Sequence, residues 1–98
     1  MNPADCTTMA EVRAGVDALD RELVALLVRR FAHMDAAARI KTERTAVRDE
    51  ARKAQVIGNA EAAAVAGGIP AGVAAALWET LVEASIAYEL SAWDRARR

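Results

Sequence analysis

The run from Thr8 to Lys41, TMAEVRAGVDALDRELVALLVRRFAHMDAAARIK, constrains the fold more than any other stretch of the chain. It contains no proline, and Gly15 is its only weak helix former. Thr8 is a good N-cap, and Glu11, three residues on, completes a capping box. Val12, Val16, Leu19, Leu23 and Leu26 alternate spacings of four and three, which is the seam of an amphipathic helix packed on other helices. At the same spacing the seam next meets Arg30, His33, Ala37 and Ile40, so an arginine stands where the pattern asks for an apolar residue. A helix reaching about Glu43 rises on the order of 50 Å, while a compact domain of this size is roughly 30 Å across. The rest of the chain is too short to cover such a helix. An exposed seam of Val and Leu invites association, so the expected arrangement is a homodimer in which a second copy covers it.

The remaining residues predict two further helices in a single domain spanning 1–98. Met1–Thr7 reads as a short arm and Thr42–Arg48 as a connection. Asp49 caps a second helix over Glu50–Ala66, stopped by Gly67-Gly68 with Gly67 at C′. Ile69-Pro70 opens the third helix, with Pro70 near its first turn, and the helix runs to about Arg95. Leu77, Leu81, Ser85, Tyr88 and Ala92 mark one side of it, and Arg95, Arg97 and Arg98 suit its C-terminal end. No useful strand alternation occurs. Hydrophobic residues make up 54% of the chain, but much of this is alanine, which favours helices and leaves a thin core for a monomer. The expected fold is all-α, three helices in a long–short–long order.

Several functions are excluded or disfavoured by composition. The formal net charge is −1, so no electrostatic footprint for nucleic acid or an anionic membrane surface exists. A helix-turn-helix DNA reader would also need a basic recognition helix. Cys6 is the single cysteine, which leaves neither an internal disulfide nor a cysteine-based metal site. No apolar run is long enough to span a membrane, and the N-terminal residues lack the pattern of a signal peptide. A cytoplasmic protein needing no metal or cofactor is expected.

Charges on an apolar seam are the informative feature, because burying an unpaired charge is costly. Arg30 lies on the seam of the long helix. Lys41, eleven residues on, points the same way, with Cα atoms about 16 Å apart, so two long side chains leaning inward can clasp a metabolite. Ser85 and Glu89 form an i, i+4 pair on the third helix. Arg13 is roughly 25 Å from Arg30 along one straight helix, too far to share a small ligand unless a second copy lends it. Several cations with one carboxyl group suit a small dianionic ligand held between helices. The same residues admit plainer readings. Arg30 suits a snorkelling side chain or an ion pair with Glu89, His33 a packed or surface histidine, and Arg29, Arg39, Arg44 and Arg48 a solvated face.

The opening DCTTMAEVRAGVDALDRELVALLVRR, followed by AARIK, VRDEAR and IAYELSAW, resembles the AroQ-type chorismate mutases across essentially the whole chain. With its Asp-Cys-Thr arm it most resembles their isochorismate-pyruvate lyase relatives. The resemblance implies an intertwined helical homodimer with two sites. It implies that Arg13 is donated from the partner subunit, that Arg30 grips a substrate carboxylate, and that Lys41 stands near the breaking ether bond. Asp49 and Arg52 match residues that close over the ligand, and Ser85 and Glu89 match the polar pair on the last helix. Two positions depart from the pattern. Lys53 occupies the place where many mutases carry a glutamate that binds the ring hydroxyl, and Glu89 occupies a place that is commonly glutamine. A carboxylate cannot donate a hydrogen bond, so Glu89 must carry its proton to serve the ether oxygen.

The reactions the resemblance implies are pericyclic and cofactor-free. One converts chorismate to prephenate, and the other eliminates pyruvate from isochorismate to give salicylate. Conformer selection and electrostatics would supply the catalysis, with the two arginines on the carboxylates and Lys41 and Glu89 aimed at the ether oxygen. A chorismate mutase is the first expectation and the lyase the second. A non-catalytic helical dimer that keeps the fold is the alternative from a different class.

Overall fold

A computed structural model describes all 98 residues as three α-helices, α1 (Met9–Ile40), α2 (Glu50–Ala66) and α3 (Val73–Ala96), with no strands. The expected all-α, long–short–long order is what forms. The chain divides into two compact units, Met1–His33 and Met34–Arg98. No helix is long and apolar enough to cross a membrane.

The first unit is the arm and most of α1. The arm makes a short 3-10 turn at Pro3–Asp5, capped by Asn2, whose side chain accepts from the Ala4 amide at 3.0 Å. Thr8 and Glu11 form the expected box in altered form. The Thr8 hydroxyl oxygen accepts from the Glu11 amide at 3.2 Å. The Glu11 carboxylate accepts from the Thr8 and Thr7 hydroxyls, both at 3.0 Å, and from the amide of Thr7 at 3.4 Å. These donors, Thr8 first, hold the Glu11 carboxyl below its ordinary value. No residue of this unit is buried. Leu23 on the seam is 55% exposed, and Val16, Leu19 and Leu26 are similarly open.

The second unit holds the core. Asp49 caps α2 as expected, its side chain accepting from the Arg52 amide at 3.0 Å. The helix ends in a Schellman arrangement. Gly68, not Gly67, takes the left-handed conformation (φ 97°), while Gly67 at φ −85° closes the last turn. The Gly68 amide donates to Val65 at 3.0 Å and the Ile69 amide to Ala64 at 2.9 Å, which consumes the terminal carbonyls.

The third helix starts three residues later than Pro70 suggests. Pro70–Gly72 form a turn, and Gly72 sits at the N-cap with φ 93°, offering no side chain. Glu61 of α2 does the capping instead. Its carboxylate accepts from the Gly72 amide at 2.7 Å and the Ala75 amide at 3.1 Å. Early α2 meets later α3 through Lys53, Glu79 and Glu83, and late α2 meets the start of α3 through Glu61, so the two helices run antiparallel.

Val47, Val82 and Ile86 are the buried centre, with Val56, Ile57, Trp78, Leu90 and Trp93 packed on them. The side of α3 buried in the unit is therefore Val82, Ser85, Ile86, Glu89 and Ala92, while Leu77 of the expected stripe is 61% exposed. The connection between α1 and α2 is ordered, with a 3-10 turn at Arg44–Ala46 that delivers Val47 to the core. Arg44 and Arg48 are exposed, as read from the sequence, and in addition they tie the connection to α3. Arg44 donates to Asp94 at 2.9 and 3.2 Å, and Arg48 forks onto Glu83 at 2.9 and 3.0 Å while also reaching Glu50.

Candidate active site

The second unit brings together two of the sequence-predicted residues across 48 positions of chain. Lys41 lies one residue beyond the end of α1, and its ammonium donates to the Glu89 carboxylate at 2.7 Å. The Glu89 side chain is 5% exposed and that of Lys41 31% exposed, so the pair has one buried face and one facing outward. Glu89 is thus paired with Lys41. Ser85, one turn earlier on α3, is also buried and donates its hydroxyl to the Leu81 carbonyl at 2.7 Å.

The junction of α1 and α3 is tied at several further points that sequence reasoning missed. The Tyr88 hydroxyl donates to both oxygens of Asp35, at 2.8 and 3.1 Å, and this carboxylate raises the Tyr88 pKa. The Trp93 indole N–H donates to the Lys41 carbonyl at 3.1 Å. Arg97 donates to the Ala38 and Lys41 carbonyls and stacks its guanidinium 4.0 Å from the centre of the Trp93 ring. The available signal was the spacing, since Trp93 and Arg97 follow Glu89 at intervals of four on one helix face.

Asp49 and Arg52 have local partners within α2. Asp49 is occupied by its cap, and the Arg52 guanidinium donates to the Gln55 side chain at 2.7 Å. Lys53 is bound by two carboxylates of α3, Glu79 at 2.7 Å and Glu83 at 3.0 Å. Arg48 and then Lys53 hold the Glu83 carboxyl down to about 2.

Arg13 and Arg30 belong to the first unit, Arg13 exposed and Arg30 half-buried on α1. His33 is exposed and bonds its ring to the Arg29 carbonyl at 2.8 Å, a helix-surface contact with no catalytic geometry. The arm and α1 also flank an open groove of about 650 Å³, lined mainly by Met1, Pro3, Val12, Val16 and Leu19. Its charged side chains are Glu11 and Glu22, and it holds no arginine or lysine to grip a carboxylate. No cluster of His, Cys, Asp and Glu has metal-binding geometry.

An ammonium held on a buried carboxyl group, with part of its surface open, can stabilise negative charge growing on a bound oxygen, and neither group is arranged as a nucleophile with an adjacent base. Comparison with known families matches residues 12–90 to chorismate mutase type II. Among characterised proteins, the chain is 28% identical over 95 residues to the isochorismate pyruvate lyase of Pseudomonas aeruginosa, an alignment covering 97% of this chain and 94% of that protein.

Proposed function

The chain belongs to the chorismate mutase type II family, and from that premise we propose that it catalyses the pericyclic rearrangement of chorismate to prephenate. The observation carrying this reading is the Lys41 ammonium held 2.7 Å from the buried Glu89 carboxyl. As the ether C–O bond breaks, negative charge grows on its oxygen, and a fixed ammonium in a partly dry site stabilises that charge more than it stabilises the ground state. The Glu89 carboxylate accepts from Lys41 in the free protein. Once protonated it becomes a second donor to the same oxygen. Ser85 packs beside it. Arg30 and Arg13 bind the two carboxylates and hold the enolpyruvyl arm folded over the ring.

Arg13 comes from a second copy. The open stripe of Val16, Leu19, Leu23 and Leu26 is a surface suited to self-association, and an intertwined homodimer covers it. Asp49 and Arg52, at the start of α2, close over the ligand, and residues 1–98 act as one domain.

A second reading, isochorismate-pyruvate lyase, is favoured by the similarity to the Pseudomonas aeruginosa lyase over nearly the whole chain. Lys53 favours it too. The place from which many mutases offer a glutamate to the ring hydroxyl is filled here by an ammonium already bound to Glu79 and Glu83.

Purified protein incubated separately with chorismate and isochorismate across pH 5–8 tests both readings. Prephenate above the uncatalysed rate with little salicylate is the expected result, and Lys41→Ala should lower that rate about 10²–10³-fold. Salicylate with equimolar pyruvate would make the lyase reading the correct one. Neither product from a folded dimer would refute both and leave a non-catalytic helical module.

A further inference from the structure

We propose that Trp93 and Arg97 are positioning residues for Lys41, acting on its backbone while Glu89 holds its tip. The inference rests on the reading of Lys41 as the donor to the breaking bond. Lys41 is an unusual place for such a donor. It follows the last residue of α1, where the terminal carbonyls have no helical partner and where helices fray. Its side chain has four rotatable bonds, so any motion of its Cα is amplified at the ammonium.

α3 removes that freedom from one face. The indole N–H of Trp93 and the guanidinium of Arg97 both donate to the Lys41 carbonyl, and Arg97 also takes the Ala38 carbonyl one turn earlier at 3.0 Å. Stacking of Arg97 on the Trp93 ring fixes the two donors relative to each other. Glu89 and Trp93 of α3 and Arg97 at its C-cap lie at successive four-residue steps, so the end of α3 and its cap grip the carbonyl of Lys41 and its ammonium together. A cap serving only the stability of α1 would satisfy its carbonyls; here two of the three donors go to the single residue whose side chain meets Glu89.

The test uses the full chain with Trp93→Phe, Arg97→Ala and Arg97→Lys, alone and combined with Lys41→Ala. Two quantities are read. One is the ¹H–¹⁵N signal of the Lys41 ammonium, assigned by its loss in Lys41→Ala. The other is kcat and KM for each of the two substrates. In Trp93→Phe and Arg97→Ala the ammonium signal should lose its protection. The kcat should fall tenfold to a hundredfold with KM within about twofold, as expected for misplacement by a fraction of an ångström to an ångström. Arg97→Lys should restore part of the rate. On the Lys41→Ala background, Arg97→Ala should cost nothing more. Arg44→Ala, which removes a neighbouring exposed ion pair to α3, should leave kcat unchanged.

An ammonium signal and a kcat equal to wild type in the folded variants would overturn the inference. So would an equal loss from Arg97→Ala with and without Lys41. If Arg97→Ala fails to fold, Trp93→Phe, which deletes one N–H and keeps the packing, decides alone. If the wild-type protein turns over neither substrate, the functional reading fails. The ammonium signal then judges the positioning by itself, its loss supporting the inference and its persistence refuting it.

Discussion

Removing the carboxylate of Glu61 should destabilise a helix that Glu61 does not belong to. α3 starts at Gly72, whose left-handed backbone and missing side chain leave its first amides without a local acceptor. Glu61 accepts two of them, at 2.7 and 3.1 Å, from across the α2–α3 pair. Loss of a helix N-cap costs about 1 kcal/mol, and loss of a negative charge at a helix N-terminus about 0.3–1 kcal/mol. Glu61→Ala should therefore cost about 2 kcal/mol once the loss of the tie between the helices is included. With a urea slope of roughly 2 kcal/mol per molar, the unfolding midpoint moves down by about 1 M at unchanged slope. Glu61→Gln keeps an acceptor and loses the charge, and should fall between the two. The assay is urea unfolding followed by far-ultraviolet circular dichroism at one fixed protein concentration, paired with amide exchange at Gly72 and Ala75. A midpoint within 0.2 M of wild type (~0.4 kcal/mol at that slope), or unchanged protection of those two amides, would refute the reasoning.

Three further outcomes are expected. Val47→Ala empties part of the core between the connection and α3 and should cost about 2 kcal/mol in the same unfolding assay. Arg48 and Lys53 lower the folded Glu83 carboxyl from 4.5 to about 2, so its contribution is present above pH 4.5 and disappears as pH falls toward 2. Stability measured across that window should drop in wild type and drop less steeply in Glu83→Gln. For the reaction, Glu89→Gln, which keeps a hydrogen-bonding group beside Lys41 and supplies an N–H donor, should retain prephenate formation, whereas Glu89→Ala should lower kcat by about tenfold or more; a Glu89→Ala rate equal to wild type would count against Glu89 as a group acting on the ether oxygen.

Local grammar made much of the fold readable. The Thr8–Glu11 box, the unbroken run to Ile40 and the Asp49 cap are decided by residues three or four apart, and each formed near its expected place. What sequence reasoning misjudged depends on partners far along the chain. Pro70 looked like a helix start because the true cap is Glu61, eleven residues before Gly72. Arg44 and Arg48 are exposed as read, but their pairing with Asp94 and Glu83, 50 and 35 residues away, was not legible. The candidate site shows the same division. Lys41 and Glu89 were each visible as polar residues in apolar company, and their pairing at 2.7 Å required the fold. Trp93 and Arg97 drew no notice as site residues, since an aromatic residue and a terminal arginine near the end of a helix are commonplace by themselves.

The four-residue ladder of Ser85, Glu89, Trp93 and Arg97 also limits how this chain can change in length. Each residue added to a helix turns everything beyond it by about 100°. One extra residue between Glu89 and Trp93 would leave composition, charge and helix propensity almost untouched. It would also swing both donors away from the Lys41 carbonyl that they now share. Substitutions along α3 can be graded in their effect, whereas a single insertion within that window is all-or-none. The last two turns of the helix are thus a fixed ruler, and the chain can gain length without re-aiming Lys41 only outside it.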